Sequence, residues 1–445
     1  MNILIITTYF LPDTAIAAVR PYMFAKYLSQ NGHRITVLRS GMAHRNLDRS
    51  LDYDDLNISI YSYLGKNSVV ERYMRGEQVN YKGRKQMIQF SFLPPKYRER
   101  ARWLYYGLRS PFDFVSKWFG IISRYFKQKK YINALSAEHY DVVFATYGEF
   151  ENIFAGKYAA KKFKCRWILD FRDPIAQRTM QCFWEYPIWK LIQKKAVTCA
   201  DVCTAVSDGV AQEVAYGTNK KIITLYNGYE QSNIYETEMF NDNKLHICYT
   251  GTMYNESRIE PLFAAIKNLA KRQEIELSNI IIHYAGLDFT KFSEWADKYG
   301  ARDYLINHGY IGKCEAEELQ LKCDVFLLLT WNTTGEKGVL TGKFYEGIRC
   351  CKPILVIVSG DAPNSEIKNI NDKYNYGYCY EICGGDKAFE EFECWLKMVY
   401  SYKISGSRIP YNPNPDIFIK FRYDNLTNQL EDICNNLIGD VLESK

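Results

Sequence analysis

Residues 3–38 read ILIITTYFLPDTAIAAVRPYMFAKYLSQNGHRITVL, and this stretch decides the fold class. Ile3–Thr7 is a short apolar run typical of a buried strand, and Val19–Leu28 carries apolar residues at helical spacing. Asn31-Gly32 ends that helix, because glycine accepts the left-handed conformation of a helix C-cap. Ile35–Leu38 is a second apolar run. Strand, helix and strand in this order predict a parallel sheet with a right-handed crossover.

The same alternation continues along all 445 residues, enough for two domains at about 100–200 residues each. It pauses at a polar, aperiodic stretch and resumes at His246–Tyr249. We predict an α/β chain of two Rossmann-like domains facing across a cleft lined by their strand ends, where open sheets bind ligands. The predicted parts are residues 1–228, a linker 229–244, residues 245–410, and a C-terminal helix in 411–445 that packs back on the first domain.

Composition places the chain among ordinary globular proteins, with 47% hydrophobic and 24% charged residues. The N-terminus has no basic region or small-residue cleavage site, and no apolar run approaches the roughly 20 residues that span a bilayer. The thirteen cysteines follow no disulfide or zinc spacing, which indicates free thiols in a reducing compartment. These features predict a cytoplasmic protein without a structural metal.

Residues 84–130 form a basic, aromatic insertion in the first domain. The insertion holds twelve Lys or Arg and two acidic residues, a local charge of +10, whereas the whole chain carries +6. Such a stretch suits the anionic inner face of the cell membrane, or it forms a solvated helical face. A nucleic-acid patch has the same composition, but we expect no nucleic-acid partner.

The loop after the first predicted strand is one candidate for the acceptor side. Ala17 and Ala18 are small enough for a ligand to approach the backbone at a helix start, where N–H groups are free. Arg20 follows them and is placed to reach a phosphate or an acceptor. The alternative is a surface arginine on the first helical turn.

A second acceptor-side candidate is Asp170-Phe171-Arg172-Asp173, directly after the apolar run Trp167-Ile168-Leu169. Three charges crowd one strand end, which is costly unless they pair or serve a site. A carboxylate here, for which we choose Asp173, would orient an acceptor hydroxyl or take its proton. The alternative is an Asp170–Arg172 ion pair, with Asp173 capping the next helix.

Two loops of the second domain predict a nucleotide-diphosphate site. Gly251 permits close backbone approach after a strand, Thr252 lies beside it, and Arg258 has the fork geometry that binds a diphosphate. Gly342 opens a helix whose free N–H groups attract phosphate. The alternative for Arg258 is a solvated charge at a helix start.

Lys343 and Glu346 are three residues apart and share a face of that helix. An ammonium can bind the phosphate of a nucleotide, and a carboxylate can bind the vicinal hydroxyls of its ribose. The alternative is that Lys343 and Glu346 form only an ion pair with each other. The Gly-x-Gly-x-x-Gly fingerprint of dinucleotide-binding proteins is absent. We also find no Asp-x-Asp suited to a metal.

Over nearly its whole length the chain resembles the family-4 glycosyltransferases of GT-B fold, which retain anomeric configuration. The similar segments are Ile5–Pro12, Leu28–Val37, Leu169–Pro174, Ala205–Ser207, Tyr226–Tyr229 and Gly338–Pro353. Leu169–Pro174 is similar to a motif of a subgroup that often serves surface-polysaccharide synthesis. The resemblance implies that Glu346 is the ribose-binding glutamate.

The chain departs from the family pattern at two donor-side positions. Gly338 stands where the family often has a glutamate that touches the donor sugar, so Glu336 is the available substitute. Thr252 stands in place of a phosphate-binding arginine. The resemblance therefore implies that Arg258 and Lys343 share the diphosphate.

These observations predict a metal-independent hexosyltransferase without a cofactor. Its donor is a UDP- or GDP-sugar, and its acceptor is a saccharide or a polyprenol-linked saccharide in surface-glycan synthesis. The predicted catalytic residues are Asp173, Arg258 and Lys343. Two alternatives stay open: a sugar-nucleotide epimerase of the same fold, and a non-catalytic partner of a membrane glycan-synthesis complex.

Overall fold

A computed structural model describes residues 1–43, 47, 56–77, 95–135, 139–177, 181–231 and 238–443, with the side chains of all but 95–110 and 440–443. The chain divides into two compact units. The first unit comprises residues 1–206, 210–226 and 427–445, and the second comprises 207–209 and 227–426. Of the predicted linker, residues 229–231 and 238–244 belong to the second unit, and 232–237 lie outside the described residues.

The first unit contains a parallel sheet in the order β3-β2-β1-β4-β5-β6-β7. Its strands are β1 (Asn2–Ile6), β2 (Arg34–Arg39), β3 (Ile58–Ser62), β4 (Val142–Tyr147), β5 (Arg166–Phe171), β6 (Val202–Ala205) and β7 (Ile223–Thr224). The helices up to residue 215 are α1 (Ile16–Gln30), α2 (Val69–Met74), α3 (Pro95–Ala134), α4 (Phe150–Phe163), α5 (Glu185–Cys199) and α6 (Asp208–Ala215). Strands β1 and β4 are almost wholly buried, as expected for a parallel sheet covered on both faces.

The second unit contains a parallel sheet in the order β10-β9-β8-β11-β12-β13. Its strands are β8 (Leu245–Thr250), β9 (Ile280–Ala285), β10 (Leu305–Asn307), β11 (Val325–Trp331), β12 (Ile354–Ser359) and β13 (Gly377–Glu381). The helices from residue 260 onward are α7 (Glu260–Lys271), α8 (Phe289–Tyr299), α9 (Lys313–Lys322), α10 (Gly342–Arg349), α11 (Glu366–Tyr374), α12 (Gly385–Ile404), α13 (Asp416–Lys420) and α14 (Tyr423–Glu443).

Each sheet has the strand order of a doubly wound α/β fold, which confirms the predicted fold class. In both sheets the order reverses beside the first strand: between β1 and β4 in the first, and between β8 and β11 in the second. The loops that leave the carboxyl ends of such a strand pair diverge to opposite faces of the sheet. They leave a crevice at that point, where open α/β sheets bind ligands.

The predicted insertion is largely one long helix, since α3 runs for 40 residues from Pro95 to Ala134. Residues 84–94, which the prediction included, lie outside the described residues. The inward face of α3 packs on the first unit's core through Ile121 and Ile132. In the described part of the chain, no helix is both long enough and apolar enough to cross a membrane.

The final helix α14 starts in the second unit, and its residues from Thr427 onward belong to the first. There the Glu431 carboxylate accepts hydrogen bonds from the Asn31 side chain, at 2.7 Å, and lies 3.0 Å from His33 Nε2. Arg166 Nε donates to the Leu437 carbonyl at 3.3 Å. These contacts fix the helix to the amino edge of the sheet, where β2 and β5 begin.

Candidate functional site

The switch point of the second sheet brings together two of the predicted donor-site segments. Gly251 directly follows β8, and α10 is the helix that follows β11 along the chain. Because β8 and β11 are neighbours, Gly251 and the start of α10 lie at the same place on the carboxyl edge. Two segments about ninety residues apart in the chain thus form one site.

Gly251 lies directly beneath the Lys343 side chain. Its φ of +119° lies in a region that side chains rarely adopt, and a Cβ added there would lie 2.7 Å from Lys343 Cε. The backbone conformation therefore favours glycine, and a Cβ at this position would displace the end of the Lys343 side chain. The sequence predicted that a ligand approaches the backbone at Gly251, and in the structure the Lys343 side chain lies against that backbone.

Lys343 and Glu346 form an ion pair with 2.7 Å between Nζ and Oε2. Their side chains are 29% and 37% exposed, so both remain within reach of a ligand. An ammonium has three N–H donors and the bond to Glu346 occupies one, so the pair does not exhaust Lys343. The plain ion pair therefore exists, and it holds the ammonium in place without preventing phosphate binding.

Gln320 on α9 supports this ion pair, and the sequence analysis did not predict it. It is 1% exposed, and its Nε2 donates to Glu346 Oε2 at 2.9 Å and to Thr250 Oγ1 at 2.7 Å. Burial opposes ionisation of Glu346, but the Lys343 ammonium and the Gln320 amide together hold the pKa of Glu346 below its usual value. Glu346 is thus held as a carboxylate acceptor.

Thr341 precedes α10 and leaves a polar group at its start. Among the described residues its buried Oγ1 has no hydrogen-bond partner, and Thr341 does not cap the helix with its side chain. Gly342 is the first helical residue, where backbone N–H groups point away from the helix. Together they give the site further donors close to Lys343.

Thr252 and Arg258 lie on the loop after β8. Thr252 is exposed, and its carbonyl accepts a hydrogen bond from the Tyr249 hydroxyl at 2.8 Å. Arg258 NH1 donates to the Asn255 carbonyl at 3.2 Å, and its side chain lines a cavity of about 190 Å³ with Lys291. Lys343 does not line that cavity. That Arg258 and Lys343 share one diphosphate stays a prediction.

Glu336 and Gly338 differ in what they can offer a donor sugar. The Glu336 carboxylate accepts a hydrogen bond from the Trp331 indole at 2.9 Å. Gly338 is buried with a φ of +70°, and an added Cβ would lie 2.9 Å from Glu366 Oε2. A glutamate at position 338 would therefore need a strained backbone and would meet a second carboxylate. The backbone conformation at position 338 thus favours glycine over the glutamate that the resemblance implied.

Two of the predicted acceptor-side residues are buried in the first unit. Arg20 NH2 and Nε donate to the Asp170 carboxylate at 2.8 and 3.1 Å, and both side chains are 0% exposed. Arg20 also donates to the carbonyls of Leu225 and Tyr226. Thr204 Oγ1 donates to Asp170 Oδ1 at 2.8 Å. Asp170 therefore pairs with Arg20 rather than with Arg172, and the two residues tie α1 to β5 instead of presenting charge at a surface.

The small residues before Arg20 are divided between interior and surface. Ala18 is fully buried, whereas Ala17 is half-buried on the first turn of α1. The helix starts at Ile16, three residues earlier than the predicted Val19, with Asp13 Oδ1 accepting a hydrogen bond from the Ala15 N–H at 2.8 Å. Only Ala17 offers backbone that a ligand could approach.

Arg172 and Asp173 remain at the carboxyl edge, with two residues that the sequence analysis missed. Arg172 extends over Gly148, and among the described residues its buried Nε has no partner. Asp173 is exposed. Burial, followed by the nearby Glu151 carboxylate, raises the pKa of Glu149, and burial raises that of Tyr147. Glu149 and Tyr147 lie at the carboxyl end of β4. The other candidate site residues were predicted because they follow strands in the same way, so this signal could have identified these two.

Comparison with known proteins gives the fold of the whole chain. No protein-family model matches it, and no curated protein matches its sequence. Several solved structures are similar to it. HepE from Anabaena, in complex with UDP and glucose, has 12% identity and a TM-score of 0.60 over 98% of this chain and 100% of its own. Sucrose-phosphate synthase from Thermosynechococcus elongatus has 10% identity and a TM-score of 0.60 over 99% of this chain and 100% of its own. The lipopolysaccharide outer core galactosyltransferase WaaB has 13% identity and a TM-score of 0.55 over 99% of each chain. The chain has the GT-B fold.

At such low identity, a likeness shows the fold alone. The assignment of site residues in this GT-B chain therefore rests on its own geometry. That geometry places Gly251, Lys343 and Glu346 together at the switch point of the second sheet. Within the described ranges, no group of three or more His, Cys, Asp or Glu side chains is arranged to hold a metal ion.

Replacing Gly251 with alanine should weaken nucleotide binding by about tenfold or more, because Lys343 must leave its place. Gly300→Ala is the matched control: Gly300 also has a positive φ, +71°, but an added Cβ would meet nothing within 4 Å. Both variants should lose stability on heating, since alanine is strained at either position. Titration with UDP should separate them, and equal affinities would contradict the role given to Gly251.

Proposed function

We propose that this chain is a glycosyltransferase that moves a sugar from a UDP- or GDP-sugar to a saccharide or lipid-linked acceptor. The observation that carries the proposal is the Gly251–Lys343–Glu346 arrangement at the second switch point. An ammonium, a helix start and an ionised carboxylate lie within a few ångströms, which suits the diphosphate and ribose of a nucleotide. HepE, of similar fold, is described in complex with UDP and glucose.

In this proposal the chain acts mainly by stabilising the leaving diphosphate. Charge grows on the diphosphate as the bond to the sugar breaks, and Lys343 and the N–H groups at the start of α10 lie where they can offset it. Arg258 supplies a second cation from the loop after β8. Glu346 accepts hydrogen bonds from the ribose hydroxyls, and Gln320 keeps it in place.

One carboxylate is proposed for the acceptor and another for the transferred sugar. Asp173 is an exposed carboxylate in the loop after β5, at the carboxyl edge of the first sheet, and we propose that it orients the acceptor hydroxyl. Glu336 is proposed to contact the donor sugar, since Gly338 has no side chain. The family-4 relationship, retention of configuration and a role in surface-glycan synthesis belong to the same proposal, supported by the resemblance at Leu169–Pro174.

Product analysis tests the reaction type. The protein is incubated with UDP- and GDP-sugars, with and without saccharide acceptors, and the nucleotides and sugars are separated by chromatography. A transferase releases nucleoside diphosphate with a new glycosidic product that depends on the acceptor. An epimerised sugar formed without an acceptor would identify the epimerase instead. Turnover of no donor would favour a non-catalytic partner.

We also propose that α3 lies on an anionic membrane surface. Five apolar side chains of α3 follow 3-4 spacing on one face and are 45–78% exposed: Phe112, Val115, Phe119, Ile122 and Phe126. Lys127 and Lys130 are exposed at the same end as Phe126, and the insertion as a whole is strongly basic. An apolar stripe beside lysines is the pattern of a helix lying in a membrane interface.

Replacing Phe119 and Phe126 with glutamine should release the protein from vesicles that contain phosphatidylserine. Both rings would enter the interface, and each buried aromatic contributes about 1.5–3 kcal/mol. The measurement is co-sedimentation with phosphatidylcholine vesicles, with and without phosphatidylserine. Leu287→Gln is the control, since Leu287 is 77% exposed in the second unit. Equal sedimentation of wild type and the double variant would contradict the membrane proposal.

A further inference from the structure

The first unit contains a cavity of about 250 Å³ that none of the predicted site residues lines. Tyr147 at the end of β4 lines one side, residues from the loop after β5 line a second, and α3 and α5 supply the rest. The cavity therefore lies at the carboxyl edge of the sheet, beside the loop that carries Asp173. The long helix α3 forms part of its wall through Phe114 and Lys117.

The inner wall of this cavity is a rigid aromatic cluster around Trp189, which is 2% exposed. The Phe150 and Trp118 rings stack on Trp189 with centroids 4.4 and 5.8 Å away, and the Phe114 ring lies at 5.3 Å. Lys117 Nζ lies 5.1 Å from the Trp189 ring centroid. Phe114 and Trp189 present carbon surface to the cavity, and their packing leaves them little freedom to move.

The rim is polar, and in the described part of its loop, residues 174–177 and 181–185, side-chain amides hold the backbone. Gln181 Nε2 donates to the Ile175 carbonyl at 2.7 Å, and Gln177 Nε2 donates to the Pro174 carbonyl at 3.0 Å. Gln181 Oε1 also accepts a hydrogen bond from the Gln177 N–H at 3.1 Å. Glu185, at the start of α5, completes this side of the rim. The side chains of Gln177 and Gln181 are thus held in place before any ligand arrives.

We propose that this cavity binds one neutral sugar residue of the acceptor. A sugar ring has an apolar C–H face, which packs on aromatic carbon, and hydroxyls that both donate to carboxylates and accept from amides or an ammonium. A volume of about 250 Å³ fits a single small ring better than a drug-sized ligand, which needs roughly 300–1,000 Å³.

The charges at the cavity oppose an anionic ligand. Among the described lining residues, Asp113 and Glu185 carry carboxylates and Lys117 carries an ammonium. A phosphate or a sugar acid would face these two carboxylates, whereas the hydroxyls of a neutral ring can donate to a carboxylate and accept from an ammonium. The geometry therefore favours a neutral saccharide.

That the bound sugar belongs to an acceptor rests on the proposed function, but the test measures sugar binding without turnover. The probes are the methyl glycosides of glucose, galactose, mannose and N-acetylglucosamine, followed by saturation-transfer NMR without nucleotide. At least one should bind with a dissociation constant of about a millimolar, the range of a ΔG near −4 kcal/mol. Gln177→Ala combined with Glu185→Gln should weaken that binding about tenfold or more.

Gln212→Ala combined with Glu213→Gln is the matched control, because both residues are exposed on α6 and do not line the cavity. Lys117→Leu on α3 provides a second variant should the rim variant fold poorly, and it should also weaken binding. Failure of every glycoside to bind, or equal binding by the rim and control variants, would overturn the inference. A parallel UDP titration separates this result from the proposed function, which fails if the nucleotide does not bind.

Discussion

Lys343→Ala should lower kcat/KM for a nucleotide sugar by about 10²–10³-fold. The ammonium lies over Gly251 at the start of α10, where the leaving diphosphate is proposed to develop charge. Removing one group that stabilises such charge costs about 2.7–4 kcal/mol in enzymes of known mechanism. The loss should appear mainly in kcat, because the charge on the diphosphate is greatest in the transition state. Steady-state kinetics with the donor identified by product analysis provides the measurement.

Lys368→Ala is the matched control for this experiment. Lys368 lies on α11 of the same unit and pairs with Asp372 at 3.3 Å across one helical turn, so the same kind of ion pair is removed. Its kcat/KM should stay close to that of the wild type. A Lys343→Ala variant with unchanged kcat/KM would show that the Lys343–Glu346 pair has only a structural role.

Asp170→Ala should destabilise the first unit by about 3–5 kcal/mol, because Arg20 would keep its charge in the interior without a carboxylate partner. For a unit of this size the melting temperature should fall by roughly 6–20 °C. Thermal unfolding followed by circular dichroism provides the measurement. The effect does not depend on any ligand, so it tests the fold rather than the function.

Glu77→Ala provides the comparison for Asp170, since Glu77 pairs with Arg72 and Arg75 at an exposed position of the same unit. Little change in melting temperature is expected there, because exposed ion pairs are screened by water. Combining Asp170→Leu with Arg20→Met should destabilise less than the sum of the single changes. If Asp170→Ala unfolds at the same temperature as Glu77→Ala, the buried pair does not hold α1 to β5.

Local patterns made most of the fold predictable from the sequence. The central strands are continuous apolar runs, such as Val325–Leu329 within β11, because they are buried on both faces. The edge strand β3 was missed, although its sequence ISIYS alternates as a half-buried strand does, because it lacks the continuous apolar run of the central strands. The three-residue strand β10 is too short to give a periodic pattern.

In the candidate site, the sequence predicted a side-chain contact only where both residues lie close together in the chain. The Lys343–Glu346 pair spans three residues of one helix, so spacing alone predicted it. Asp170 has Arg172 two residues away, yet it pairs with Arg20, 150 residues distant. Gln320 reaches Glu346 from α9. The sequence did not predict this helix, because its few apolar residues do not gather on one face. Contacts that depend on sheet order cannot be read from local spacing.

Titration calorimetry with UDP and GDP tests the central claim most directly, that a nucleotide binds at Lys343 and Glu346. The wild type should bind one of the two, and Glu346→Ala should bind it about ten- to a hundredfold more weakly, because a hydrogen bond to a charged group contributes about 1.5–3 kcal/mol. Lys368→Ala should bind as the wild type does. Binding of neither nucleotide, or equal affinity in the wild type and Glu346→Ala, would contradict the claim.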